Sequence, residues 1–306
     1  MTALHMIKDR LSKISFKQIG IAILVLKLLL VIYFVYIIST GEGNVFSFDS
    51  TFFTFVAIGF FAQLIDGALG MAYGASSNAL LLHFGVSPRI ASASIHTAEV
   101  FTTGVSGLSH LRFKNIDKAL LIRLVIPGVI GAVAGAYLLS DILDGGMVKP
   151  YISAYLLILG SMILYKGIRN KHKEKKEVKR AGLLAFIGGL LDAIGGGGWG
   201  PIVTSNIINQ GKSPRETIGT VNTAEFFITF FATGIFLYYV GIDSWQVVLG
   251  LIIGGVFAAP IGAFLASRIN KKVLFIVVGM VVILTSLLTI YKTIGEYSHF
   301  IVSLIS

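Results

Sequence analysis

Residues 192–200 read DAIGGGGWG, and residues 66–74 read DGALGMAYG. In the first stretch Gly195, Gly197 and Gly200 satisfy G-x-G-x-x-G, the spacing of a dinucleotide-binding turn. Such a turn must follow a strand and open a helix inside a soluble βαβ unit. Residues 181–194 form an apolar membrane segment instead. QGKSP at 210–214 resembles the end of a phosphate loop, but Asn206 stands where the leading glycine is required. The glycines therefore serve something other than a nucleotide.

The composition supplies the solvent. Of 306 residues, 55% are hydrophobic and only 13% charged, with a mean hydropathy of +0.84. Soluble domains carry about 25% charge, so this is an integral membrane protein with no room for a separate soluble domain. Apolar stretches of spanning length recur at 18–39, 90–111, 119–139, 150–166, 217–238, 245–266 and 273–291. The first lacks a small-residue cleavage site and reads as a retained helix rather than a signal peptide.

The net charge of +10 is concentrated in an N-terminal arm (Lys8, Arg10, Lys13, Lys17) and in YKGIRNKHKEKKEVKR at 165–180. These runs suit cytoplasmic loops facing anionic membrane lipids, not nucleic acid. The absence of cysteine excludes disulfides, thiolate metal sites and cysteine nucleophiles. No metal motif such as H-E-x-x-H, no nucleophile elbow and no ATPase cassette motif is present. The expectation is a protein without cofactor or metal that is not an enzyme. No feature points to a particular oligomeric state.

Shifting the chain by 126 residues superposes its halves without a gap. Asp66 meets Asp192, Gly70 meets Gly196, and Gly74 meets Gly200. SPR at 87–89 meets SPR at 213–215, TAE at 97–99 meets TAE at 223–225, and ID at 116–117 meets ID at 242–243. Seventeen of fifty-eight positions agree between 60–117 and 186–243. This pattern signals a duplicated membrane unit, a common way to build a transporter. The predicted organisation is a basic arm with an extra helix (1–49), a first repeat (50–165), a basic cytoplasmic linker (166–180), a second repeat (181–292) and a C-terminal tail (293–306).

Charge bias sets the orientation. LRFKNIDK at 111–118 has three basic residues, whereas its counterpart LYYVGIDS has none. SDILDGGMVK at 140–149 has one, whereas SRINKK at 267–272 has three. The bias inverts between units. All strongly basic loops fall in the cytoplasm only if each Gly-rich segment enters and leaves on one side. The prediction is an all-α polytopic protein with an inverted-topology repeat, seven spanning helices, two re-entrant Gly-rich broken segments and a cytoplasmic N-terminus.

Non-helical backbone is tolerated at membrane depth only where protein buries it or a cavity hydrates it. Glycine permits the break and a close approach by ligand or backbone. A half-helix beginning there offers free N–H groups and a positive dipole end to an anion. Two such tips would meet near the midplane. Gly131 and Gly135, like Gly250 and Gly254, suit small-residue helix packing instead. Asp66 and Asp192, just before the breaks, suit capping of free N–H groups or ion binding.

The stretch 90–111 places Ser92, His96, Glu99, Thr103, Ser106 and His110 on one helical face. The partner stretch does the same with Asn222, Glu225, Thr229 and Thr233. Charged glutamates are costly in lipid, so Glu99 and Glu225 should face the interior, as proton carriers or as structural hydrogen-bonded carboxyls. Ser87 and Ser213 read as N-caps before proline. Arg89 and Arg215 read as headgroup anchors or anion recruiters, and Lys27 and Arg123 as snorkelling side chains.

GFFAQLIDGALGMAYGASS with ASASIHTAEVFTTGVSGLSHLRF, then LDAIGGGGWGP with GTVNTAEFF, resembles the sulfite exporter TauE/SafE family, the TSUP transporters, over about residues 50–292. The resemblance implies movement of sulfite, thiosulfate, sulfonates or related organic anions. With the residue reading, it gives a secondary transporter of a small anion working by alternating access, coupled to H⁺ or Na⁺, in the cell membrane. An anion channel and an intramembrane enzyme are the alternatives. The expected substrate-binding residues are Gly70, Gly74, Gly196, Gly197, Gly200, Thr103, Asn222 and Thr229. Asp66, His96, Glu99, Asp192 and Glu225 are the expected proton-coupling or structural groups.

Overall fold

The computed structural model describes residues 15–40, 49–69, 71–168, 178–241, 245–266 and 271–305. Lys8, Arg10 and Lys13 of the basic arm, Gly70, the basic run at 169–177 and the second ID pair at 242–243 lie outside these residues.

All regular structure among the described residues is helical. The α-helices are α1 (Phe16–Thr40), α2 (Ser50–Leu69), α3 (Tyr73–His83), α4 (Pro88–Arg112), α5 (Lys118–Tyr137), α6 (Gly145–Ile168), α7 (Ala181–Gly195), α8 (Ser205–Asn209), α9 (Pro214–Tyr239), α10 (Trp245–Ala266) and α11 (Lys271–Ile305). π-helical turns at Leu138–Ile142 and Trp199–Thr204 extend α5 and lead into α8. Residues 166–168, read as the start of a linker, belong to α6. The stretch read as a tail continues α11.

Among the described residues, five helices combine spanning length with sufficient apolarity: Phe16–Tyr36, Lys118–Ile142, Gly145–Ile168, Arg215–Tyr239 and Phe275–Gly295. Two of the seven expected spans are absent from this group. At 25 residues α4 is long enough, but its polar stripe lowers its hydropathy. In α10 the apolar stretch counted is Trp245–Ala258.

Two starts recur at one interval: α3 and the second π turn begin at Tyr73 and Trp199, and α4 and α9 begin at Pro88 and Pro214, each pair 126 residues apart. The starts follow from local chemistry. Proline at N1 has the φ a helix needs and lacks only an N–H that would go unpaired there. Ser87 accepts from Ile90 N and Asp117 from Leu120 N, while Ser213 makes no such side-chain bond.

The halves interlock rather than lie side by side. α2 packs on α10, α5 on α7, α6 on α11, and α4 on α9. Close approach depends on small residues. A Cβ on Gly135 would lie 2.5 Å from the Leu190 carbonyl oxygen, and one on Gly250 would lie 2.6 Å from Phe55 Cβ. Gly131 and Gly254 meet Phe186 and Val56 in the same interfaces. These four glycines occupy the packing role expected of them. Ile95, Ala98 and Val100 of α4 and Val221, Ala224 and Phe226 of α9 are fully buried, so this pair forms the centre. Leu28, Phe53, Ile130 and Met147 face outward, as lipid-facing side chains do.

Candidate functional site

The two Gly-rich breaks touch at the centre. Ala72 (φ 85°) and Gly196 (φ 60°) adopt the left-handed conformation and turn the chain back from the ends of α2 and α7. A Cβ on Gly74 would stand 2.7 Å from Gly196 O and 2.9 Å from Gly197 Cα. One on Gly200 would stand 2.8 Å from Met71 Cβ. Backbone therefore lies against backbone, and only glycine allows it. The structure brings Gly74, Gly196, Gly197 and Gly200 together. Asn78 Nδ2 donates to Gly195 O, Tyr155 OH to Gly197 O at 2.9 Å, and Trp199 Nε1 to Val221 O at 3.2 Å.

Both aspartates cap the breaks, one way in each half. Asp192 Oδ1 accepts the Trp199 N–H at 2.9 Å. Asp66 accepts the Tyr73 N–H. Donor and acceptor are seven residues apart in each case, at positions separated by the same 126. This satisfies N–H groups that would otherwise be orphaned at the start of each returning segment. It also places the chain's own carboxylates where an anion was expected to bind.

Around the caps lies an acidic centre. His96, Glu99 and Asp192 are buried, and a ligating atom of each lies within 4.8 Å of the others. Glu99 is within electrostatic reach of Glu225, Asp192 and Asp66. His96 Nδ1 lies 2.9 Å from the Ser92 carbonyl oxygen, which can only accept, so Nδ1 carries a proton. His96 Nε2 faces Asp192 Oδ2 at 3.4 Å, and neither atom has another hydrogen-bond partner. Two bare acceptors at that distance repel, so one proton or a cation between them is what makes the pair stable. Ser92 Oγ donates to Ala193 O at 2.6 Å and fixes α4 against the end of α7.

The remaining expected residues divide. Thr103 Oγ1 donates to Glu99 O at 2.5 Å and Thr229 Oγ1 to Glu225 O at 2.8 Å, so both hydroxyl protons are used one turn back on their own helices. Asn222 Nδ2 donates to Ser106 Oγ at 3.1 Å, tying α9 to α4. Arg89 donates to Leu139 O at 3.0 Å and to Leu143 O and so closes the first π turn. Arg215 Nε bonds Asn115 Oδ1 at 2.7 Å. Lys27 turns inward, 3.4 Å from Phe101 O. Arg123 donates to Val178 O at 3.0 Å.

The lysine of QGKSP is committed to an ion pair: Lys212 Nζ lies 2.5 Å from Asp117 Oδ2. Burial pushes the Asp117 carboxyl up, but the hydrogen bond from Lys212 and the N–H groups of Leu120 and Ala119 outweigh it and hold the carboxyl below the usual range.

Sequence reasoning missed three groups at the centre. Asn78 and Tyr155 hold the second break from α3 and α6, and Lys166 reaches Ser205 Oγ at 3.0 Å. Only Lys166 carries a signal in the sequence, because YKGI at 165–168 recurs as YKTI at 291–294.

The profile of the family described as Sulfite exporter TauE/SafE matches residues 55–289. A Bacillus subtilis (strain 168) protein named "Probable membrane transporter protein YtnM" is 46% identical over 245 residues, spanning 77% of this chain and 81% of the relative. No solved structure matches the chain.

Proposed function

The chain belongs to the sulfite exporter TauE/SafE family, and on that premise we propose that this membrane transporter carries a small anion, sulfite or another sulfur oxyanion, by alternating access coupled to a proton. The observation that carries the reading is the His96–Asp192 pair. It is buried, spans the two halves of the chain, adjoins the second Gly-rich break, and needs one proton between its facing atoms. Binding and release of that proton change the charge of the centre by one. An anion approaching four nearby carboxyls (Asp66, Glu99, Asp192, Glu225) is repelled least when the centre is protonated. Proton and anion therefore favour each other's binding, which is the thermodynamic basis of coupled transport. A metal or sodium ion held by His96, Glu99 and Asp192 would neutralise the centre in the same way, and their mutual distances allow it.

We read the halves as inverted repeats with seven spans, the two broken segments entering from opposite faces, in the cell membrane with the N-terminus cytoplasmic. The common interval between helical starts in the two halves and the cross-packing of α2 with α10 and α5 with α7 support this. Single cysteines test it directly, because the chain has none. Positions 114 and 271 should label only from the cytoplasm and position 241 only from outside. External labelling at 114 or 271 would sink the inverted arrangement.

The function is tested in proteoliposomes with sulfite, thiosulfate, methanesulfonate and a carboxylate such as acetate. Saturable uptake, counter-transport and accumulation driven by an imposed pH gradient are the expected results. Flux linear in concentration without counter-transport would identify a channel, and chemical conversion of the anion would identify an enzyme.

A further inference from the structure

Lys166 stands two residues before the end of α6, where a lysine ordinarily turns outward along the helix to reach water. It does the reverse. Its ammonium lies 3.0 Å from Ser205 Oγ and 3.5 Å from Met71 Sδ, and sits over the Phe275 ring at 5.2 Å. Met71 belongs to the first Gly-rich break and packs against Gly200, while Ser205 follows the second break at the head of α8. Helical side chains lean toward the N-terminus of their helix, and this lean carries the charge inward toward both breaks.

The same face of α6 leads to the tips. Tyr155 precedes Lys166 by eleven residues, three helical turns, and donates to Gly197 O. A stripe roughly 16 Å long therefore runs from the charge at Lys166 to the tip of the second break.

The charge is under-compensated. An ammonium has three donors. Here one meets a serine hydroxyl and another a thioether, which is a weak acceptor. Among the described residues no carboxylate lies within ion-pair distance of Lys166. The hydroxyls of Thr204, adjoining Ser205, and of Ser76 in α3 are buried without a hydrogen-bond partner. A cation that no carboxylate compensates is complementary to an oxyanion, and the acidic centre by itself is not. The lysine at the corresponding place in the second half, Lys292, is exposed on α11.

We propose that Lys166 is the anion-binding cation of this transporter, holding a sulfur oxyanion between Met71 and Ser205 at the mouth of the stripe that leads to the glycine tips. The proposal rests on the anion-transporter reading. It divides the labour: Lys166 binds the anion, and the His96–Asp192 pair carries the coupling proton. Because only one half supplies such a lysine, the site is one-sided and opens toward the end of α6.

The test is uptake of labelled sulfite, thiosulfate and methanesulfonate by the full chain in proteoliposomes, with Lys166→Gln, Lys166→Arg and Lys292→Gln. Losing a charge-assisted hydrogen bond should raise half-saturation about tenfold or more in Lys166→Gln. Turnover at saturation should change far less. Lys166→Arg should recover most of the affinity, and Lys292→Gln should match wild type. A lysine that merely packs would lower turnover or stability without moving half-saturation. If Lys166→Gln does not fold, as judged by its melting and elution profiles, Ser205→Ala carries the test, with half-saturation raised about threefold. Wild-type transport with unchanged half-saturation in Lys166→Gln, or in Ser205→Ala where that variant stands in, overturns the assignment alone. A wild type that carries none of the three anions overturns the reading beneath it as well.

Discussion

The stretch from Asp66 to Glu99 and the stretch from Asp192 to Glu225 follow one plan and diverge at one helical turn. In both, an aspartate caps the N–H seven residues on, a glycine break follows, S-P-R opens the next helix, and a glutamate lies on its polar face. One turn before the glutamate the first has His96 and the second Asn222. His96 reaches across to Asp192, the cap of the opposite half, whereas Asn222 bonds the Ser106 hydroxyl. The shared parts hold backbone in place. A symmetric scaffold thus carries an asymmetric pairing, with a histidine facing a carboxylate across the halves on one side of the centre and a neutral amide–hydroxyl hydrogen bond on the other.

The strongest way to break this picture is to disturb what the halves share. Gly74 and Gly200 are repeat mates, and a Cβ on either meets the opposite break within 3 Å. Gly74→Leu and Gly200→Leu should each reduce transport about a hundredfold or more, while overpacking costs roughly 1–3 kcal/mol of stability. Gly234→Ala, with open space around its Cβ, should stay within about 0.5 kcal/mol of wild type. If Gly200→Leu transports normally, the two tips do not work as one closed contact.

The next test exchanges the differing residues. His96→Asn installs in the first half what the second half has, and should cut pH-driven accumulation about tenfold, within the usual range for coupling between two ligands. Asn222→His should have little effect, because position 222 faces a hydroxyl rather than the opposite cap. Full pH-driven accumulation by His96→Asn would remove the proton from this pair.

How much of this could be read beforehand follows from what sequence periodicity encodes. The duplication, the glycine breaks, the capping aspartates and the polar stripe on α4 were legible, because each is a local pattern or a fixed interval. The partner of His96 was not. Its nearest titratable neighbour along the chain is Glu99, yet the carboxylate its ring nitrogen faces is Asp192, nearly a hundred residues away, set by the packing of α4 against α7. Lys166 was misplaced for a related reason. It begins a basic run that reads as solvated linker, and only the extension of α6 to Ile168 turns it inward. The occupancy of both helix starts by Asp66 and Asp192 has a simple cause. A carboxylate satisfies free N–H groups as well as a bound anion does, and it is covalently present.

A smaller difference should separate the two glutamates. Glu99 lies in the buried group with His96 and Asp192, whereas Glu225 is half-buried. Glu99→Gln keeps the shape but cannot titrate, so it should weaken the pH dependence of transport and leave anion affinity nearly intact. Glu225→Gln should shift half-saturation by about threefold, the scale of one neutral hydrogen bond, and leave the pH profile alone. Matching profiles for the two variants would show that the centre titrates as a symmetric pair.

The smallest effect belongs to an ion pair that ties the halves near the ends of the spans. Asp117 caps α5 and pairs with Lys212 in the loop before α9, joining the first-half loop to the second-half loop. The counterpart of Asp117 is Asp243, outside the described residues, and that of Lys212 is Val86. A second such pair built from the equivalent positions is therefore impossible. The Asp117 carboxyl is held below its ordinary value, so its contribution is present above the unfolded carboxyl's pKa of about 3.9. That contribution is lost as pH falls through the still lower folded value. Because the pair is partly exposed and screened, Lys212→Met should cost no more than about 1 kcal/mol at neutral pH, and Asp117→Asn about the same, since asparagine still caps the helix. Transport should be unaffected in either. Melting curves of wild type and Lys212→Met should differ at pH 7 and converge as pH drops below about 4. A difference that instead grows on acidification would mean that Lys212 stabilises the protein through some partner other than this carboxylate.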